Sequence, residues 1–319
     1  MNFQPLITNL SNPAFMFFIL GIIAVKIKSD LEIPSNSSKF ISLYLLFSIG
    51  FKGGQELSHE NFSIEIIYSI ILGICISIII PVYTFFILKK KLNIYNATAI
   101  ASAYGSVSAV TFVTGVNYLE SQKIVFHGHM VAIMALMEAP AIIAGLLLLS
   151  FFNDNDNLKI KKTSFIKHSV TNGSVVLILG SLLIGFFTNA QQAEGIKPFT
   201  NDLFKGFLAI FLLDMGVSSG KNLKSFISNG WFPLLFAIVV PLFNGAVIAL
   251  LSDVFISDIS DKFMFAILAA SASYIAVPAA MKLAVPKADP GLYLPMTLAI
   301  TFPVNITIGM PFYLSLCQL

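Results

Sequence analysis

The stretch IIYSIILGICISIIIPVYTFFIL, residues 66–88, contains no charged side chain. A bilayer hydrocarbon core about 30 Å thick needs about 20 residues of helix, so this run is long enough to cross a membrane once. The whole chain of 319 residues shares the bias, with 56% hydrophobic and 11% charged residues, whereas soluble domains have about 25% charged residues. The composition therefore predicts an integral membrane protein and excludes a soluble enzyme with a grafted anchor.

Apolar windows of this kind recur along the chain and predict an all-α polytopic membrane protein with about ten transmembrane helices. Helices are expected because the long apolar runs do not alternate as barrel strands would. The first five spans are expected near residues 13–29, 38–53, 64–88, 94–117 and 126–152, and the second five near 172–190, 200–218, 229–253, 261–285 and 290–317. We therefore divide the chain into residues 1–152, a cytoplasmic linker at 153–171, and residues 172–319.

The distribution of lysines predicts the orientation. All 19 basic residues are lysines, and with the N-terminus outside most of them fall on the cytoplasmic side. Only Lys52, Lys123, Lys197, Lys205 and Lys262 then lie outside. Cytoplasmic loops carry the excess of positive charge, so both termini are expected outside the plasma (inner) membrane. Without arginine, the chain cannot hold an anion with a bidentate guanidinium fork.

The two sets of five spans resemble each other in order. Residues 50–57 (GFKGGQEL) and 216–223 (GVSSGKNL) both carry Gly-x-x-x-Gly followed by a leucine three residues on. Residues 105–111 (GSVSAVT) of span four correspond to residues 273–279 (SYIAVPA) of span nine. An odd number of spans per repeat inverts the second copy in the membrane. The sequence therefore predicts two inverted five-helix repeats.

Spans four and nine are unusually polar and are predicted to be broken helices. A break frees a helix N-terminus, whose backbone N–H groups and partial positive charge suit an anion. The alternative is that the hydroxyls only bond to the preceding turn or join helices. The candidate substrate-binding residues are Gly105, Ser106, Ser108, Thr111, Ser271, Ser273 and Tyr274.

Two carboxylates, Glu138 and Asp214, fall inside predicted spans. A charge at membrane depth costs about 3 kcal/mol and marks a candidate functional group. A cation ligand or a proton carrier would each explain Glu138, whereas Asp214 could instead lie near the interface and form a local hydrogen bond. We name Glu138, Asp214, Ser102 and Asn305 as candidate cation-binding residues, with Na⁺ as the coupling ion and no other cofactor or metal.

The remaining motifs do not favour catalysis or a transition-metal centre. His127 and His129 resemble a ligand pair but have no cysteine or carboxylate cluster near them in the sequence, so an interfacial role is expected. The chain contains no nucleophile elbow, His-Glu-x-x-His helix or Walker loop. We therefore expect that the protein is not an enzyme.

Several short motifs together resemble the SbtA-type sodium-dependent bicarbonate transporters. They are residues 50–54, 105–111, 119–124, 137–141, 215–216 and 269–275. The resemblance implies ten helices in two inverted repeats, a gate domain and a core domain, a homotrimer, and a PII-like regulatory protein at the cytoplasmic face. It also implies anion and sodium sites between the broken helices, at Gly105, Ser106, Ser108, Thr111, Ser271, Ser273 and Glu138.

The chain departs from the family's cyanobacterial pattern at the second break. That pattern reads Ser-Asp-Ile-Ser-Gly-Pro where this chain has Tyr274, Ala276 and Val277 in place of the acid, the hydroxyl and the glycine. The expected function is import of a small anion coupled to a cation, with bicarbonate and Na⁺ as the first candidates. The alternatives are a sodium- or proton-coupled carrier of a small organic monocarboxylate, and a membrane anion-binding or sensory component that does not transport.

Overall fold

The computed structural model describes residues 13–59, 64–152, 173–227 and 230–319, and the regular structure in these ranges is entirely helical. The first half contains α1 (Pro13–Lys26), α2 (Ser35–His59), α3 (Ile64–Leu88), α4 (Ile94–Gly105), α5 (Ala109–Ser121) and α6 (His129–Phe152). The second half contains α7 (Gly173–Phe187), α8 (Ala190–Lys197), α9 (Phe204–Ile227), α10 (Trp231–Leu251), α11 (Ile259–Ala270), α12 (Ala276–Ala284) and α13 (Pro290–Cys317). The predicted linker lies outside the described residues.

Six helical segments of the described chain are long and apolar enough to cross a membrane, which establishes a polytopic helical membrane protein. They are Ile64–Leu88, Ile94–Ser121, His129–Phe152, Ala190–Lys221, Trp231–Val254 and Pro290–Cys317. A helix lies at each of the other predicted spans, although α1 and α7 are shorter apolar helices. Ten crossings therefore stay a prediction.

Two pairs of helices pack unusually closely, α1 with α9 and α2 with α7. A Cβ atom added at Gly216 of α9 would lie 2.1 Å from the Phe18 carbonyl oxygen of α1, and one added at Gly54 of α2 would lie 2.1 Å from the Leu182 carbonyl oxygen of α7. Small residues let helix backbones approach in this way. The two matched Gly-x-x-x-Gly motifs of the sequence are thus both helix-packing motifs.

The other helices surround the two broken ones. Helices α3 and α6 pack against α4, while α10 and α13 pack against α11, and α5 contacts α11. Helix α11 is buried from Ser260 to Ala270, whereas α3 exposes Ile67, Ile71 and Ile79 on its outer side. Exposed branched apolar side chains suit contact with lipid, so α4 and α11 lie at the centre of the group and α3 at its edge.

The predicted breaks in spans four and nine are confirmed. Helix α4 ends at Gly105 and α5 begins at Ala109, while α11 ends at Ala270 and α12 begins at Ala276. Pro278 lies in the first turn of α12 rather than in the break, because proline is tolerated where its missing N–H would have no helical partner. Helix α8, which the hydropathy pattern did not predict, begins with a capping box formed by Asn189 and Gln192.

Candidate functional site

The two helix breaks lie against each other and are joined by two hydrogen bonds. The Ser108 backbone N–H donates to Ser271 Oγ over 3.0 Å, and the Ser273 backbone N–H donates to the Ala103 carbonyl oxygen over 2.8 Å. Backbone groups exposed by a break in the membrane must find a partner. Here each broken helix supplies a partner to the other, so the breaks form one crossing point, which we call the crossing.

Three serine hydroxyls at the crossing cap helix ends. Ser108 Oγ accepts a hydrogen bond from the Thr111 N–H over 3.1 Å, and Ser273 Oγ accepts one from the Val277 N–H over 3.2 Å. Ser271 Oγ donates to the Leu268 carbonyl oxygen at the end of α11 over 2.9 Å. These hydroxyls therefore hold the ends of α5, α11 and α12 in place. The bond of Ser271 to the preceding turn is the kind that the alternative interpretation of the sequence expected, whereas Ser108 and Ser273 cap the helices that follow them.

A small cavity of about 30 Å³ opens at the crossing. A single water needs about 10–15 Å³ on this measure, so the cavity has room for about two water-sized groups. The N-terminal ends of α5 and α12 both reach it, and α6 contributes one carboxylate. Its lining residues are Leu46, Val107, Ser108, Ala109, Val110, Glu138, Ser273, Tyr274, Ile275 and Ala276.

The Tyr274 hydroxyl is the polar group of this cavity with an unused hydrogen-bonding capacity. It is buried beside Ser108, and no described group makes a hydrogen bond of normal geometry to it. Leaving a buried hydroxyl without a partner costs about 1–3 kcal/mol. Tyr274 lines the cavity while its hydroxyl is buried, so a ligand that hydrogen-bonds to this hydroxyl would remove that cost.

Four of the candidate residues meet at the cavity: Ser108, Glu138, Ser273 and Tyr274. Thr111 lies one turn into α5, and Ser271 joins the breaks from behind the cavity lining. These positions agree with the expectation that the broken helices and the acid of span five form one site. Binding by any of these side chains stays a prediction.

Other candidate residues of span four are used in packing. A Cβ added at Gly105 would lie 2.0 Å from Pro81 Cγ of α3, and one added at Gly145 of α6 would lie 1.9 Å from Ser102 Oγ. The hydroxyls of Ser102 and Ser106 are buried, without a hydrogen-bond partner in the described part of the chain. The small residues of span four therefore bring α3, α4 and α6 together beside the cavity.

Three of the four candidate cation ligands, Ser102, Asn305 and Asp214, lie apart from the cavity lining. Asn305 of α13 donates from Nδ2 to the Ala270 carbonyl oxygen at the end of α11 over 2.7 Å and accepts a hydrogen bond from the Tyr313 hydroxyl over 3.0 Å. Asp214 of α9 accepts a hydrogen bond from the Ser38 hydroxyl. Asn305 thus positions the second break, and Asp214 joins α9 to α2.

A larger cavity of about 440 Å³ follows along the same groove between α2 and α5. Leu46 and Val110 line the small cavity, while Ile49 and Val116, further along the same helices, line the large one. Six residues of helix, from Val110 to Val116, correspond to about 9 Å. The charged side chains of the large cavity are Lys52, Glu120, Asp202 and Lys205, with Lys52 and Glu120 paired.

The apolar part of the site was missed by sequence reasoning. Leu46, Val107 and Ile275 line the cavity, but nothing distinguishes them in the sequence from any other aliphatic residue of a span. The available signal for these residues was their position just after each break. Once the breaks are placed in the sequence, the residues that begin α5 and α12 are known.

The family model described as the Na⁺-dependent bicarbonate transporter superfamily matches residues 13–318. No curated protein matches the chain.

Proposed function

Because the chain belongs to the Na⁺-dependent bicarbonate transporter superfamily, we propose that it imports bicarbonate together with Na⁺ and that both ions bind at the crossing of its two broken helices. Membership in a transporter family also agrees with the prediction that the protein is not an enzyme. The observation that carries the proposal is the convergence of the N-terminal ends of α5 and α12 with Glu138 on one cavity.

The two helix N-termini are the groups that would hold the anion. Each brings a partial positive charge and backbone N–H groups to the cavity, and the Tyr274 hydroxyl adds a donor that makes no hydrogen bond of normal geometry within the described part of the chain. A planar anion with three oxygens can accept all of these hydrogen bonds at once. The absence of arginine from the chain is compatible with this mode of binding, since no guanidinium is needed.

Glu138 is the group that would couple the anion to a cation. Its carboxylate reaches the same cavity as the helix N-termini, and carboxylate and hydroxyl oxygens are suitable ligands for a hard cation such as Na⁺. A cation beside Glu138 would also offset the charge of bicarbonate in a site of low dielectric constant. Binding of each ion therefore favours binding of the other, which is the basis of symport.

The two cavities of the α2–α5 groove would form the entry route. The lysine distribution predicts that the end of α5 that bears Glu120 faces outside, so bicarbonate would reach the large cavity first and the crossing second. The small cavity holds about two water-sized groups, so α2 and α5 must separate to admit the anion. The 440 Å³ volume of the large cavity accommodates a hydrated anion without such movement.

The helix packing supports the predicted inverted repeats. If spans six to ten repeat spans one to five, the contact between α1 and α9 corresponds to the contact between α7 and α2, and both are present. Likewise the contact between α3 and α4 corresponds to that between α10 and α11. Ten crossings, both termini outside the plasma membrane, a homotrimer and a PII-like partner at the cytoplasmic face belong to the same proposal.

Uptake by purified protein in liposomes tests the proposal. We expect labelled bicarbonate to enter only when an inward Na⁺ gradient is imposed, and Glu138→Gln to abolish the Na⁺ dependence. Glu194→Gln is the matched control, because Glu194 is an exposed carboxylate of α8 paired with Lys197. Uptake that ignores both the Na⁺ gradient and Glu138→Gln would contradict the coupling.

The same preparation separates the alternatives. Competition by acetate or pyruvate without competition by unlabelled bicarbonate would identify an organic monocarboxylate carrier. Thermal stabilisation by an anion without any counterflow in liposomes would identify a binding or sensory component.

A further inference from the structure

A cluster of histidine and aspartate side chains lies at the other end of α11 from the crossing. His127 ends the connection between α5 and α6, His129 begins α6, Asp258 caps the N-terminus of α11, and Asp261 lies in its first turn. The sequence analysis expected an interfacial role for these histidines, because no cysteine or carboxylate cluster lies near them in the sequence. The fold brings a carboxylate to them from far along the chain, since Asp261 contacts His127 across 134 residues.

Two distances in this cluster are close to those between neighbouring ligands of a metal centre. His127 Nδ1 lies 3.1 Å from Asp261 Oδ1 and 3.6 Å from Asp258 Oδ1, and the three ligand atoms all lie within 4.8 Å of one another. A tetrahedral Zn²⁺ site with bonds of about 2.0–2.1 Å places neighbouring ligand atoms about 3.3–3.4 Å apart. We propose that His127, Asp258 and Asp261 bind a divalent transition-metal ion such as Zn²⁺.

The surroundings of the cluster hold the ligands in place. Asp258 Oδ1 accepts hydrogen bonds from the Ser260 and Asp261 backbone N–H groups over 2.7 and 3.2 Å, which fixes its position at the helix end. His129 Nε2 lies 3.3 Å from Asp261 Oδ2, whereas His127 Nδ1 contacts Asp261 Oδ1. A histidine or carboxylate that orients a ligand from behind is the usual support of a metal site.

Gly128 fixes the two histidines relative to α2. A Cβ added at Gly128 would lie 2.0 Å from the Gly53 carbonyl oxygen and 2.6 Å from the Leu57 backbone nitrogen. The chain between His127 and His129 therefore lies directly against the backbone of α2. As a result, both imidazoles are presented to the start of α11 by backbone packing rather than by a free loop.

Charge and access both suit a divalent cation. Two carboxylates balance a charge of +2, and the nearby Lys262 is paired with Asp253. The side chains of Asp261 and His129 are 9% exposed, whereas those of His127 and Asp258 are 33% and 47% exposed. The ligand Asp261 is therefore protected from solvent, and the ligands His127 and Asp258 give the ion an entry path. Mixed imidazole and carboxylate ligands favour zinc and similar first-row ions over calcium.

Metal binding to the purified full-length protein tests this proposal independently of transport. After treatment with a chelator, titration calorimetry with Zn²⁺ should give one ion per chain, and Co²⁺ should show the visible absorption of a tetrahedral centre. We expect His127→Ala to weaken Zn²⁺ affinity at least tenfold and His129→Ala to weaken it by about 10–100-fold. His59→Ala, at the exposed end of α2, should leave the affinity unchanged.

Folding is checked separately from metal binding. Without metal, each variant should have the same thermal midpoint as the chelator-treated unmodified protein. If the midpoint of His127→Ala is lower, His127→Gln provides a second variant. Absence of saturable Zn²⁺ and Co²⁺ binding in the unmodified protein, or unchanged affinity in a folded His127 variant, would overturn the proposal and leave a hydrogen-bonded cluster without metal.

Discussion

Ser108 and Ser271 lie on different broken helices, and the Ser108 backbone N–H donates a hydrogen bond to Ser271 Oγ over 3.0 Å. Both residues are buried. Because 163 residues separate them, this contact joins the two halves of the chain at the point where each helix is interrupted. The stability of the crossing should therefore depend in part on the Ser271 hydroxyl.

Ser271→Ala is expected to destabilise the protein by about 1–3 kcal/mol, since the Ser108 N–H would be left buried without a partner. Ser315→Ala is the matched control, because both hydroxyls donate to the carbonyl three residues earlier but Ser315 is exposed on α13. The control should change stability by less than about 0.5 kcal/mol. Unfolding in detergent measures both, and equal effects would contradict a special role for the Ser108 contact.

Tyr274→Phe is expected to leave the unfolding free energy unchanged or to raise it, because the Tyr274 hydroxyl has no partner among the described groups. The same change at Tyr104 should lower it by about 1 kcal/mol. The Thr301 hydroxyl donates to the Ala237 carbonyl oxygen, so Tyr104 donates to Thr301 over 2.7 Å, and that bond would be lost.

The two tyrosine substitutions should have the reverse ranking in their effect on the stabilisation that bicarbonate produces. Tyr274→Phe should reduce the shift of the thermal midpoint that bicarbonate and Na⁺ produce, whereas Tyr104→Phe should not. A Tyr274→Phe protein that is destabilised but retains the full ligand-induced shift would show that the hydroxyl is structural.

Gly216→Ala is expected to destabilise the protein by about 1–3 kcal/mol through overpacking, since the added Cβ would lie 2.1 Å from the Phe18 carbonyl oxygen. Gly206→Ala, on the same helix α9, has nothing within 4 Å of the added Cβ and should stabilise by up to about 1 kcal/mol. Thermal unfolding of the two variants under identical detergent conditions compares them. If the two variants change the stability by similar amounts in the same direction, the close backbone approach of α1 and α9 would be refuted.

Lys52 and Glu120 should influence the uptake rate with opposite signs. Lys52→Met removes a positive charge from the large cavity and should slow bicarbonate uptake, while Glu120→Gln leaves Lys52 without its partner and should speed it. Initial rates at constant Na⁺ with increasing concentrations of an impermeant salt measure the effect. The difference between the variants should shrink as salt screens the charges; a difference independent of salt would argue against electrostatic attraction.

The effect of the same pair on stability should be small. Both side chains are about a third exposed, and ion pairs of this kind contribute about 0–1 kcal/mol. A double-mutant cycle on unfolding should therefore give a coupling below about 1 kcal/mol, so that any larger change in uptake can be assigned to transport.

The sequence was sufficient to place the helices and the breaks because both depend on local chemistry. The run at residues 66–88 and the glycine and serine residues around Ser108 act within a few turns of their own position. The resemblance to the SbtA-type transporters implied that Glu138 lies near the breaks, and the cavity brings it together with Ser108 and Tyr274. Helix α8 could have been found from its capping pair, Asn189 and Gln192.

The structural roles of individual small and polar residues could not be predicted, because each role depends on a partner remote in the sequence. Gly105 is small because Pro81 packs against it, and Asp214 is tolerated because Ser38 donates to it. The carboxylates beside His127 come from the start of α11. None of these relationships follows from spacing along the chain.

Helix α2 contacts α7 on one side and α5 on another, and the two contacts differ in how much movement they permit. On the α7 side, Gly54 brings backbone against backbone, and no intervening side chain can rotate to absorb a displacement. On the α5 side, Lys52 reaches Glu120 through a long flexible stem, and the cavities separate the helices. A displacement between α2 and α5 near the cavities could therefore be absorbed by these two side chains, whereas α2 and α7 would have to move together as one unit.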